Sequence, residues 1–149
     1  MAPTETPRLE AQLCFDLYAA SRAITAVYRP ALSELGLTYP QYLVLMVLWE
    51  DDDVTVGDLA TRLRLDHGTL TPLLRRMEDA ELVTRARRAS DERVVEVGLA
   101  PRGERLRAEA PRLSCLARDA TGLDDEQIAS LQAVLKQMSA HLATGSDQR

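Results

Sequence analysis

A chain of 149 residues has the length of a single domain. With 46% hydrophobic and 28% charged residues it can bury a core and stay soluble. No run of about 18 apolar residues is present, so no membrane span or membrane partner is expected. The start, MAPTETPRLE, lacks the basic and apolar stretches of a signal peptide, and the cytoplasm is the expected compartment.

The first six residues read as a polar, disordered tail. From Pro7 a helical pattern begins, with Leu13, Leu17, Ala20, Ile24, Val27, Ala31 and Leu35 at three- and four-residue spacing. Pro30 should kink this helix near Tyr28, and Gly36 should cap it. Pro40 opens a second helix whose body, YLVLMVLWE, is apolar nearly all round and should form the core. The acidic run EDDD after it reads as a loop. Residues 56–63 read as a short third helix, Leu65 and Asp66 as a turn, and residues 67–80 as a fourth helix with Leu70, Leu73, Leu74 and Met77 on one face. Then the period changes. LVTRAR and RVVEVGL alternate or cluster β-branched residues around the polar RASDE, the pattern of a β-hairpin. Pro101 starts a fifth helix, broadly 101–119. Gly122 and Asp124 separate it from a sixth, about 125–143, with Ile128, Leu131, Val134, Leu135, Met138 and Leu142 on one face. From Ser146 the chain should fray.

A short helix, a tight turn, a helix with small polar residues at its start and a hairpin is the winged helix-turn-helix order, so the fold class is mainly α with a small β-hairpin. The second helix of such a unit offers its N-terminal residues to base edges in the major groove. Here those are His67, Gly68, Thr69 and Thr71, with Arg75 and Arg76 one turn on. The hairpin tip can place arginine in the minor groove. A net charge of −5 weighs against nucleic acid, but the charge is segregated: residues 85–93 carry four arginines against two acids, whereas residues 50–53 are all acidic. The same pattern also fits an α+β domain with a solvated basic hairpin.

The wing stretch LVTRARRASDERVVEVGLAPRG, within residues 37–103, resembles the signature of the MarR family of bacterial regulators, with Asp91 and Arg93 as its D-x-R. The stretches LCFDLYAASRAITAVYRPAL, LGLTYPQYLVLMVLWE and LDHGTLTPLLRRMEDAELVTR are similar to the organic hydroperoxide regulator (OhrR) subfamily. The resemblance runs from about residue 9 to 103 and fades beyond. It implies a homodimer on double-stranded DNA with a pseudopalindromic operator. Residues 7–36 and 101–143 of the single domain 1–149 would be dimerisation helices, and residues 37–100 the DNA-binding region. The wing D-x-R adds Asp91 and Arg93, and the basic hairpin Arg87 and Arg88, to the DNA contacts that the winged-helix order places on the α-helical residues above. The resemblance makes Cys14 the peroxide-sensing thiol, Tyr28 and Tyr39 its hydrogen-bond donors from the partner subunit, and Cys115 the second cysteine, which traps oxidised Cys14 as an intersubunit disulfide. Tyr18 is a further pocket candidate. Three residues depart from the pattern: His67 stands where a small residue such as serine is usual, Glu81 where a glycine is usual, and Asp16 adds a charge near the thiol.

Helix geometry is consistent with a shared site. Cys14 and Tyr28, 14 residues apart on one helix, are separated by roughly 21 Å of helical rise and cannot touch within one chain. Antiparallel packing about a two-fold axis would bring each Cys14 near the other Tyr28, while Tyr18 lies one turn from Cys14 on its own helix. An ordinary thiol is only about 5–10% thiolate near neutral pH, and phenol donors favour the charged form. Phe15, Leu17 and Leu13 would favour an organic hydroperoxide as inducer. Without the resemblance, two distant cysteines in a cytosolic chain read as free buried thiols, and the tyrosines as core aromatics.

His67 and His141 have no ligand spacing, so neither a metal nor another cofactor is expected. No phosphate loop, nucleophile motif or carboxylate pair suggests an enzyme. The sequence therefore reads as a repressor released by oxidation of Cys14. One alternative is release by a small phenolic ligand, which would survive Cys14→Ser. The other is a thiol peroxidase, which would turn over with a thiol reductant.

Overall fold

The structure, a computed structural model, describes residues 6–146. Of the tails expected at residues 1–6 and from Ser146 onward, residues 1–5 and 147–149 lie outside the described residues, while Thr6 belongs to no element and Ser146 is still helical. The chain forms two compact units that divide after Ala117.

In the first unit, α1 (Leu13–Glu34) begins later than Pro7, because Gln12 is extended and offers no side-chain cap. One 3₁₀ turn, Leu9–Ala11, precedes it. The helix runs unbroken through Pro30 and stops at Gly36, whose φ of 69° suits glycine. The Gly36 and Leu37 N–H groups close the end on the Ser33 and Leu32 carbonyls at 3.1 and 2.9 Å. Thr38 and Gln41 form a reciprocal capping box that starts α2 (Tyr39–Glu50), with Pro40 in its first turn. This is the core helix expected: Tyr42, Val44, Leu45, Val47 and Leu48 are buried.

Two short elements follow. Val54–Thr55 forms β1, which the sequence pattern misses, because two residues are too few to alternate. Thr55 also caps α3 (Val56–Leu63) through the Asp58 N–H. Arg64, at φ 54°, turns the chain, and Asp66 caps α4 (His67–Asp79). Leu70, Leu73, Leu74 and Met77 are buried together with Leu32, Leu45, Leu48 and Leu59. Each such burial stabilises by about 1.5–3 kcal/mol, so the rotation of α4 is fixed and its polar face stays outward.

The hairpin is tighter than the sequence suggests. Strands β2 (Val83–Arg88) and β3 (Asp91–Leu99) leave only Ala89 and Ser90 between them, where a loop over residues 88–92 is expected. A register slip between Arg87 and Arg88 lets Arg88 pair with Asp91. β1 pairs antiparallel with the other side of β3, giving sheet order β1-β3-β2.

The helix expected over 101–119 is divided into α5 (Pro101–Arg105), a 3₁₀ segment Leu106–Glu109, and α6 (Ala110–Thr121). Pro111 has no N–H for the Arg107 carbonyl, and its ring would crowd that carbonyl, so the turn before it tightens. Gly122 then takes a φ of 69°. In the second unit α7 (Asp125–Ser146) starts on an Asp124–Gln127 capping box and reaches three residues beyond the expected 143. No single helix among the described residues is long and apolar enough to cross a membrane.

Glu81, a departure from the resembled pattern, makes the turn before the wing. Its φ is 59°, and the Glu81 and Leu82 N–H groups bond the Glu78 and Met77 carbonyls at 2.9 Å each. A side chain in this conformation costs about 1–2 kcal/mol, partly offset by the greater unfolded-state freedom of glycine. Glu81→Gly should therefore raise stability by about 0.5–1 kcal/mol. Urea unfolding should show a higher midpoint at an unchanged slope; a lower midpoint would contradict the strain argument.

Candidate DNA-reading face and thiol site

The outward face of α4 carries His67, Gly68, Thr69, Thr71, Arg75 and Arg76, all exposed. Asp66, read in the sequence only as a turn, organises its start. One carboxylate oxygen accepts from the Thr69 N–H at 2.7 Å, the other from the Thr69 hydroxyl at 3.2 Å. The Thr69 N–H holds the Asp66 carboxyl below its usual range. Thr69 is thus engaged as part of the cap, whereas Arg75 and Arg76 make no ion pair among the described residues and remain available to an anion.

In the wing, Asp91 and Arg93 lie on the same face of β3, two residues apart. The Arg93 guanidinium donates to both Asp91 oxygens, Nε at 3.1 Å and Nη2 at 3.3 Å, and the Arg93 N–H adds a third bond at 3.1 Å. Hydrogen bonding from Arg93 lowers the Asp91 carboxyl, so the pair stays ionised at neutral pH. The Arg93 side chain is nevertheless 91% exposed. It is oriented without being covered.

The other wing arginines have partners as well. Arg87 donates to the Glu92 carbonyl at 2.7 Å, and Arg88 to Glu96 at 2.7 Å. Arg85 bridges from β2 to Glu78 on α4 at 3.0 Å and lowers that carboxyl, which ties the wing to the helix it follows. The basic stretch seen in the sequence is therefore partly neutralised: Arg85 and Arg88 pair with glutamates and are 24% and 42% exposed, whereas Arg93, beside Asp91, is 91% exposed. The acidic run is partly balanced as well: Arg62 pairs with Glu50 and Asp51.

Both cysteines are free and exposed, not buried as two ordinary cytosolic thiols would be. Cys14 lies in the first turn of α1 and Cys115 in the middle of α6. The apolar neighbours of Cys14 do not enclose it within one protomer, since Leu13 is 64% and Phe15 39% exposed. Tyr18 is also open, with the Arg22 guanidinium 5.4 Å from its ring centre.

Tyr28 and Tyr39 come together because the Gly36 turn folds α2 back on α1, and their ring centres are 5.1 Å apart. Tyr42 supports both, at 5.7 and 6.3 Å, and Trp49 packs edge-on against Tyr42 at 6.1 Å. Burial raises the pKa of all three tyrosines, Tyr42 to about 12. Their hydroxyls stay protonated at neutral pH and can act as donors. Tyr42 and Trp49 were passed over in the sequence because they sit in the apolar body of α2. Their spacing at 39, 42 and 49 places them near one stripe of that helix.

The MarR family model matches residues 37–95, the stretch that holds α2 to the wing. Over 103 residues the chain is 50% identical to the organic hydroperoxide resistance transcriptional regulator of Bacillus subtilis, covering 69% of this chain and 70% of that protein. It is 38% identical over 128 residues to the HTH-type transcriptional regulator MgrA of Staphylococcus aureus, covering 85% and 87%. Among solved structures, reduced AbfR bound to DNA superposes with a TM-score of 0.74 at 33% identity, covering 91% of this chain and 94% of that one; AbfR is from Staphylococcus epidermidis. An exposed recognition helix beside a paired, open wing arginine, together with these relatives, establishes that the chain belongs to the MarR family and is a DNA-binding transcriptional regulator.

Proposed function

We propose that the chain is a homodimeric cytoplasmic repressor that holds a pseudopalindromic operator until an organic hydroperoxide oxidises Cys14. The observation that carries this reading is the 50% identity to the Bacillus subtilis organic hydroperoxide regulator, joined to an exposed Cys14 thiol at the start of α1. The Cys14 thiolate attacks the distal peroxide oxygen. An S–O bond forms, the O–O bond breaks, and the alcohol leaves with a proton, so the thiol is oxidised to a sulfenic acid. The Cys115 thiol of the partner subunit then attacks that sulfur. An S–S bond forms and water leaves. Tyr28 and Tyr39, whose phenols are protonated at neutral pH, donate from one subunit to the Cys14 sulfur of the other, with Tyr18 beside it.

In this arrangement residues 7–36 and 101–143 make the dimer and residues 37–100 read DNA, through His67, Gly68, Thr69, Thr71, Arg75 and Arg76 in the major groove and Arg87, Arg88 and Arg93 in the wing. Exposed apolar side chains support the dimer: Leu13 and Tyr18 on α1 are 64% and 62% exposed, and Leu131 and Val134 on α7 are 48% and 61% exposed. Sedimentation at low micromolar concentration tests the shared site. A stable dimer is expected, and a monomer would remove the tyrosines from Cys14 and overturn the reading.

A further inference from the structure

The first turn of α5 sits where several other elements end. The Arg102 guanidinium donates from Nη1 to the Ala80 carbonyl at 2.7 Å and from Nη2 to the Leu35 carbonyl at 3.2 Å. Ala80 is the C-terminal cap of α4, and Leu35 that of α1. Helix C-termini leave carbonyls unpaired and carry partial negative charge, so one part-buried cation satisfies two helix ends at once. The next residue tightens the joint. A Cβ on Gly103 would lie 2.1 Å from the Leu82 carbonyl oxygen, so only glycine lets α5 approach the turn before the wing. The Gly103 carbonyl accepts from Trp49 Nε1 on α2 at 3.0 Å.

We infer that Arg102 is a positioning residue for operator reading, fixing the C-terminal end of the recognition helix against the C-terminal end of α1. The inference rests on α4 being the helix that reads bases. The lever is long: α4 has 13 residues, about 20 Å of rise, so a tilt of about 5° at its clamped end moves its reading end by about 2 Å. Base-edge hydrogen bonds tolerate only a few tenths of an ångström. Contacts to a generic phosphate backbone tolerate far more, because they carry no register.

The test compares Arg102→Ala and Arg102→Lys with wild type, at a temperature where circular dichroism shows each folded. Each is titrated with operator and with a non-operator duplex of equal length. The operator-to-non-operator affinity ratio should fall about tenfold in Arg102→Ala. Arg102→Lys keeps the charge but lacks the planar fork that spans two carbonyls, so its ratio should fall by more than threefold. Loss of the cation alone, or partial unfolding, would lower both affinities together and leave the ratio unchanged. A ratio within threefold of wild type, in whichever variant folds, overturns the inference. Arg75→Ala, on the exposed face of α4 itself, run alongside separates the two failures: if it too leaves operator binding unchanged, the assignment of α4 as the reading helix is at fault, not the clamp.

Discussion

Cys14→Ser should bind the operator as tightly as the reduced wild type and stay bound when cumene hydroperoxide is added. Serine occupies the position of the thiol with little change in volume, and Cys14 is exposed on α1, so neither the core nor the reading face is disturbed. What is removed is the only step that begins the proposed oxidation. Cys115→Ser should differ in kind. It should still react at Cys14, but with no second thiol the sulfenic acid persists, open to overoxidation or to a mixed disulfide with a small thiol. In the wild type the disulfide requires the two Cα atoms to come within about 7 Å across the dimer.

Cys115 is carried on α6, which follows the wing by way of α5 and the 3₁₀ segment Leu106–Glu109. Drawing it toward Cys14 would pull on α5, and Arg102 would pass the displacement to the end of α4. The spacing of the two recognition helices, which must match half-sites one helical turn apart, would then be lost. Non-reducing electrophoresis after one equivalent of hydroperoxide should give a covalent dimer for wild type and a monomer for each single mutant. A wild-type protein that leaves DNA while running wholly as a monomer would refute the disulfide step and leave the role of Cys14 standing.

Arg93→Ala should weaken operator binding at least tenfold with the fold intact. The Arg93 side chain is 91% exposed and touches no core residue, so its removal costs the protein little. A well-placed arginine contact to DNA is worth about 1–3 kcal/mol. Asp91 holds the guanidinium in one orientation through two side-chain bonds, which lowers the entropy to be lost on binding. Asp91→Ala should therefore weaken binding in the same direction by a smaller factor. Because Arg93 keeps the Asp91 carboxyl below its usual range, the orienting pair is present above that range and lost only as pH falls through the lowered value. Operator affinity should accordingly show no step from this pair across neutral pH. If wild-type affinity survives Arg93→Ala at moderate salt, the wing does not contact DNA in the proposed way.

Much of this architecture is legible in the residues. The apolar body of α2, the buried face of α4 and the hairpin each follow a strong periodicity, and Gly36 stops α1 for a conformational reason visible in its identity. The Asp91–Arg93 pair is legible only through the resemblance to the MarR wing, because the sequence pattern leaves Asp91 in the loop; β3 in fact begins at Asp91, which puts the two residues on one face. What escaped was set by particular neighbours. β1 has two residues, and only its pairing with Val97 and Glu96 makes it a strand. The break before α6 is visible in principle at Pro111, but apolar spacing on both sides of it masks the interruption. Arg102 reads as one more surface arginine, because its acceptors lie 22 and 67 residues away. Trp49 is hidden likewise, since its acceptor Gly103 lies 54 residues on. The thiol site is the least legible: within one protomer Cys14 stands open, and Tyr28 and Tyr39, proposed to donate to it, belong to a second copy.

Operator binding by the wild-type protein, measured before and after one equivalent of cumene hydroperoxide and again after reduction with a dithiol, tests the central claim most directly. The upstream region of its own gene is the natural duplex to use. The proposed mechanism predicts tight binding when reduced, loss of at least tenfold in affinity on oxidation, and full recovery on reduction. Affinity that is indifferent to the hydroperoxide, while mass analysis shows Cys14 oxidised, would contradict it.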